Sequence, residues 1–163
     1  MKTKVIGIGD NVCDKYYPAK IMYPGGQAMN FSVYAKMLGA DAAYMGVFGR
    51  DKAAHLGHED DQRHLAHVGG LARHVGAGDD GAQVLSAVHV GVVGDKVRLV
   101  DGDREFIMSN KGGIVNEHPL ELTKEDLDYI RTFKLIHTSC NGHLDGELHK
   151  LREAGVPISY DMS

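Results

Sequence analysis

The chain contains no tryptophan, two cysteines and four prolines among its 163 residues, and only 7% of it is aromatic. Cys13 and Cys140 form neither a zinc-ligand spacing nor a disulfide framework, so the expectation is two reduced, half-buried thiols in a cytoplasmic protein. No hydrophobic run is long enough to span a membrane. The start, Met1 to Gly7, passes directly into a strand-like pattern without the apolar core of a signal peptide. Basic residues are outnumbered, 18 Lys and Arg against 22 Asp and Glu, giving a net charge of -4. With no basic cluster to offset that balance, nucleic acid is excluded as a partner, as is a membrane. What is present is ordinary for a water-soluble globular chain of one domain's length: 43% hydrophobic and 25% charged residues, enough for a sizeable core.

Strand and helix patterns alternate along both ends of the chain. Val5 to Ile8 reads as a buried strand, with Asp10 to Asp14 on or just past its C-terminal end, where ligands bind in open α/β sheets. Tyr16 to Tyr23, mixed polar and aromatic with Pro18 inside it and Pro24 after it, reads as an edge strand or flap. Ala28 to Leu38 has Phe31, Tyr34, Ala35 and Leu38 at helix spacing and stops at Gly39. Ala43 to Phe48 is a second buried strand. Lys96 to Val100 and Glu105 to Met108 flank Asp101-Gly102, a strong hairpin signal. Thr123-Lys124-Glu125-Asp126 reads as a capping box, with Leu122 and Leu127 placed as a hydrophobic staple. Lys134 to Ser139 is a strand, Leu144, Leu148 and Leu151 form a helix stripe ending at Gly155, and Val156 to Tyr160 is a strand ending in Asp161. The alternation predicts a parallel α/β sheet with a small antiparallel flap. The segment from about 55 to 96 breaks the pattern. It is rich in His, Gly, Asp and Val, and glycines interrupt every candidate element. It is expected to be the least well-defined part of the fold, and its abrupt composition change suggests a shifted reading frame or another sequence source.

Several motifs invite chemistry and do not carry it. Gly7-Ile8-Gly9 follows a strand, but Val12 stands where a dinucleotide fingerprint needs its third glycine, so tight packing is the better reading. His55, His58, His64 and His67, with Glu59, Asp60 and Asp61, have no metalloprotease or cysteine-pair context and read as a solvated polar face rather than a metal site. Ser139, His137 and Asp161 lack the elbow of a hydrolase triad. The run Gly25-Gly26-Gln27-Ala28-Met29-Asn30 is more informative. Two glycines open a helix, leaving free N–H groups for a ligand's oxygens and room for its close approach. Asp14 can accept hydrogen bonds from vicinal hydroxyls, and the Asn30 amide can donate and accept at once. Sugars require such convergence, because each buried hydroxyl left unpaired costs about 1–3 kcal/mol. The plainer reading of the same residues is a strand turn before an ordinary glycine-led helix.

The run Gly25 to Asn30 with Ser32, then Gly39 and Gly49, resembles the first signature of the ribokinase-like (PfkB-type) carbohydrate kinases. Gly9-Asp10-Asn11-Val12-Cys13-Asp14, Leu135-Ile136-His137-Thr138 with Asn141-Gly142-His143, and Tyr160-Asp161-Met162-Ser163 are similar, more narrowly, to the fructoselysine 6-kinases. The resemblance spans residues 1–54 and about 97–163. It implies a Rossmann-like ribokinase-type α/β sheet, 1–163 forming the N-terminal part of one sugar-kinase domain, with a β lid from about 16–24 and 97–113, including Arg104. By the same resemblance Asp14, Gly25, Gly26, Asn30 and Cys140 bind the sugar, with Gly25-Gly26 as hinge. ATP and Mg2+ serve the complete enzyme, whose substrate is fructoselysine or a related fructosamine, and lids pair into a homodimer. The family's catalytic base, in a Gly-Ala-Gly-Asp turn, is expected beyond Ser163. No catalytic, cofactor or metal residue is therefore expected here, and the chain alone is expected to be inactive. Gly76-Ala77-Gly78-Asp79 matches that turn in letters but lies in the wrong half. The rival is a non-catalytic sugar-binding fragment or an unstable truncated product.

Overall fold

A computed structural model describes residues 2–16, 21–47, 93–101, 103–109, 116 and 118–162. The irregular composition of the middle, its histidine cluster and Gly76-Ala77-Gly78-Asp79 lie outside the described residues, apart from 93–96.

The body is a four-stranded sheet in the order β4-β1-β7-β8, formed by Asp41–Met45, Lys4–Ile8, Leu135–Ser139 and Ile158–Asp161. All three pairings are parallel. Parallel strands of this kind need both faces covered, and β1 accordingly reads as a continuous apolar run. Ile6, Ile8, Met45 and Ile136 face one way, into a core closed by α2 (Lys124–Ile130) and α3 (Leu148–Glu153) through Ile130 and Leu151. Val5, Ala42 and Tyr44 face the other way, against Ala28 and Met29 of α1 (Gln27–Met37).

Helix α1 departs from the expected stripe. Tyr34 is 61% and Leu38 89% exposed, whereas Ala28, Met29 and Ser32 are buried. The cause is how closely the helix lies on the sheet. A Cβ on Gly7 would overlap the Ala28 carbonyl and crowd the Ser32 hydroxyl, so the helix crosses Gly7 with its small residues Ala28 and Ser32. The buried Ser32 hydroxyl accepts the Gly7 N–H at 3.1 Å and donates to the Ala43 carbonyl at 2.7 Å. Gly7 within β1 and Gly9 just after it, whose Cβ would start 3.0 Å from the Gly142 Cα, thus serve packing, as their sequence context indicated.

Above the body stands a second sheet, β3-β2-β5-β6, from Ile21–Gly25, Val12–Tyr16, Val93–Val100 and Asp103–Ser109. These strands begin four residues earlier, at 12 and 93, than the lid pieces expected near 16 and 97. The sheet is not wholly antiparallel either. β2 and β5 pair in parallel, with β3 and β6 antiparallel on the flanks. Each excursion is a hairpin, and the first strand of one pairs with the first strand of the other, so the junction runs parallel. The second hairpin closes with Val100 opposite Asp103 and turns through Asp101 at φ 51°, where the sequence signal put it.

Candidate functional site at the lid–body junction

The carboxyl ends of β1, β7 and β8 meet the start of α1 below the lid. Asp10 occupies the centre. It is 2% exposed, and its carboxylate accepts three hydrogen bonds: Gln27 N–H at 2.6 Å, Ala28 N–H at 3.2 Å and the Ser139 hydroxyl at 3.0 Å. The first two are helix-start donors that have no partner within the helix. The N-cap residue, Gly26, offers no side chain to satisfy them. The expectation of free N–H groups at this helix start is therefore overturned for Gln27 and Ala28, because Asp10 already holds both. A carboxylate at that position also repels a phosphate.

Neighbouring polar groups are tied into the same edge. Asn11, likewise 2% exposed, donates to the Tyr44 hydroxyl at 3.0 Å and the Val47 carbonyl at 2.7 Å, and Tyr44 donates to the Gly9 carbonyl at 2.8 Å. The Gln27 amide donates to Asp161 at 2.9 Å, linking α1 to the end of β8.

Three of the residues singled out from sequence meet at one point. Asp14 is not at the end of β1. It lies mid-way along β2, opposite Tyr23 of β3, because the chain enters the lid at Val12, immediately after Asn11. A side chain at Gly25 would begin 3.9 Å from Asp14 Oδ2 and 3.9 Å from Asn30 Nδ2. The glycine thus leaves a space bordered by a lid carboxylate and a body amide. Gly26 adopts φ 104°, and a Cβ there would lie 2.7 Å from both the Asp10 carbonyl oxygen and Asn11 Cα. It is a position that only glycine fits. Asn30 is exposed one turn into α1, its N–H bonded to the Gly26 carbonyl at 2.8 Å. Beside Asp14, Tyr16 and Tyr23 form an edge-to-face pair with centroids 5.6 Å apart.

The thiols are unlike each other rather than both half-buried. Cys13 is buried in β2 and Cys140 is exposed where β7 ends. Cys140 follows Ser139, so it stands at the same sheet edge as Asp10. His137, two residues earlier, stacks on Phe31 at 4.5 Å, and its Nδ1 lies 3.2 Å from the Ser159 hydroxyl. Burial lowers its pKa below 6.5, against the opposing pull of Asp161 and then Asp10. Ser139 gives its hydroxyl to Asp10, not to His137, which leaves no triad. The sequence reading missed Asp10 as a site residue, together with Asn11, Gln27 and the aromatic pair. The available signal was the Gly9-Asp10 step: a carboxylate directly after a strand-ending glycine, in a chain whose helix opens without a capping side chain. A separate cleft of about 400 Å³, lined in part by Leu120, His143, Asp145 and Glu147, contains none of these residues.

A parallel α/β body carrying a four-stranded lid, with polar residues gathered where they join, is the architecture of the ribokinase-type sugar kinases. Ribokinase of Arabidopsis thaliana, solved with ribose and ATP, superposes with a TM-score of 0.68 at 15% identity, over 99% of this chain and 53% of that one. At that identity the likeness concerns the fold. No family model matches the chain. Among curated proteins it is 36% identical over 162 residues to the fructosamine kinase FrlD of Bacillus subtilis, covering 98% of this chain and 51% of that protein. It is 26% identical over 163 residues to the fructoselysine 6-kinase of Escherichia coli, covering 100% of this chain and 56% of that protein. The match to FrlD leaves out almost none of the chain, so it runs through the middle segment that the motifs alone did not reach. The chain spans about half the length of the curated relatives it matches. In sequence and fold its relatives are ribokinase-like (PfkB-type) carbohydrate kinases, and those named here by sequence are kinases of fructosamines.

Proposed function

We propose that this chain supplies the sugar-recognition part of an ATP-dependent carbohydrate kinase acting on the 6-hydroxyl of fructoselysine or a related fructosamine. The observation that carries the proposal is the meeting of Asp14, Gly25 and Asn30 at the lid–body junction. A carboxylate and an amide bordering a space with no side chain suit vicinal hydroxyls, and the Tyr16–Tyr23 pair offers an apolar surface for the sugar's C–H face. Asp14 and Asn30 bind the hydroxyls, Gly25 admits the ring, Gly26 is the hinge, and Cys140 borders the sugar from the end of β7. Kinship with the fructosamine and fructoselysine kinases supports this substrate class over other sugars.

ATP with Mg2+ is the phosphoryl donor in this proposal, and its phosphates are not assigned to the start of α1. The start of α1 presents Asp10 where a phosphate needs open N–H groups. The catalytic base and the ATP site are assigned outside residues 1–163, and a homodimer forms through the lid.

Calorimetry with fructoselysine, fructose and ribose on this chain and on Asp14→Ala tests the proposal. The expected result is saturable binding, strongest for fructoselysine and absent in the variant. Binding indifferent to Asp14 would refute the site, and equal affinity for all three sugars would refute the substrate class.

A further inference from the structure

We infer that Asp10 is the positioning residue of this site, a single carboxylate that clips both lid connections and the end of β7 together and thereby sets Asp14, Gly25 and Asn30 against one another. The two lid connections on this side are residues 9–11, which lead from β1 into β2, and Gly26, which leads from β3 into the first turn of α1. Asp10 belongs to the first and hydrogen-bonds the second through Gln27 and Ala28. Its remaining bond reaches Ser139, 129 residues away, beside Cys140. Every residue assigned to sugar binding therefore lies on a segment that this carboxylate holds.

The arrangement follows from the hinge. At φ 104°, with the Asp10 carbonyl oxygen and Asn11 Cα 2.7 Å from where a Cβ would start, position 26 cannot carry the capping side chain that a helix start needs. The cap must come from elsewhere, and Asp10 supplies it. Burial and three engaged donors leave Asp10 poorly placed to bind a ligand directly. Its effect on ligand is exerted through the segments it holds. The functional consequence rests on the sugar-site reading above, whereas the clip itself is tested without sugar.

Hydrogen exchange on the full chain separates the two. In Asp10→Asn, which keeps size and removes the charge, exchange at Gln27, Ala28 and across β2 and β3 should rise about tenfold or more. The peptides around Ile6–Ile8 and Ile136 should stay protected. Ser139→Ala, which removes one bond of three, should show the same pattern at smaller amplitude and decides the matter if Asp10→Asn does not fold. Unchanged exchange in the lid strands, or an equal rise in β1 and β7, would overturn the inference. In the sugar arm, Asp10→Asn should weaken fructoselysine about tenfold, with a smaller further loss in an Asn30→Ala background, where Asp14 is the one polar group left to position. Additive losses would contradict positioning. Absence of sugar binding in the unmodified chain would count against the sugar reading alone, with exchange still deciding the clip.

Discussion

Gly26 governs how the lid leaves the body, and its neighbour Gly25 governs what fits beneath the lid. The two should respond differently to the same substitution. Gly26→Ala places a Cβ at φ 104° against Asp10 and Asn11, and strain of this kind costs about 1–3 kcal/mol before the overlap is relieved. A clear fall in melting temperature is expected. At Gly25 the nearest atoms to a new Cβ are 3.8–3.9 Å away, an ordinary contact, so Gly25→Ala should melt close to the unmodified chain while losing sugar affinity. Equal melting losses in both would contradict the division of labour. His137 supplies a pH test. Because burial holds its folded pKa below 6.5, the unfolded chain takes up a proton that the folded chain refuses as pH falls through about 6.5. Stability is full above that value, declines below it, and levels off beneath the lowered folded pKa. Urea midpoints should rise between about pH 5 and 7, and His137→Gln should flatten that slope. At this scale the sequence was readable for the backbone at Gly26, whose φ of 104° calls for glycine. It was not readable for Asp10, because its role depends on a donor 129 positions away and on the missing cap at Gly26.

At the scale of elements, local signals with local partners were legible. The Thr123 capping box forms as read: Thr123 Oγ1 accepts the Asp126 N–H at 3.2 Å, and Asp126 accepts the Thr123 N–H at 3.0 Å. Thr123→Ala should cost about 1 kcal/mol in denaturant unfolding, with Thr123→Ser retaining most of it. No loss would mean that α2 is held by packing alone. The Asp101-Gly102 hairpin and the Gly155 helix stop, at φ 74°, were legible for the same reason. The inward face of α1 was not. Helical spacing marks Phe31, Tyr34, Ala35 and Leu38; Phe31 and Ala35 do pack on the rim of the core, but the fully buried contact belongs to Ala28, Met29 and Ser32, and Tyr34 and Leu38 are exposed. The parallel β2–β5 junction was hidden as well, because pairing between two separate hairpins leaves no mark in the alternation of either.

At the scale of the whole molecule, the body sheet ends in β8, whose strand pattern is only partly buried and which is followed by Met162 at 84% exposure. On β6, the outermost described strand of the lid, adjacent Phe106 and Ile107 are 58% and 51% exposed. Exposed apolar groups on an open edge favour association. Sedimentation should show concentration-dependent dimers that Phe106→Asp weakens, and a strictly monomeric chain would remove the lid dimer from the proposal. Substrate-dependent ADP release by this chain should not exceed that of Asp14→Ala, and release above it would contradict placing the catalytic base elsewhere. The central claim is that the lid–body junction holds the sugar. Backbone amide NMR of the chain titrated with fructoselysine tests it most directly. The predicted result is saturable shifts at Asp14, Gly25, Gly26 and Asn30, with the cleft around Asp145 and Glu147 unmoved. Shifts clustered in that cleft, or none in a well-dispersed spectrum, would contradict it.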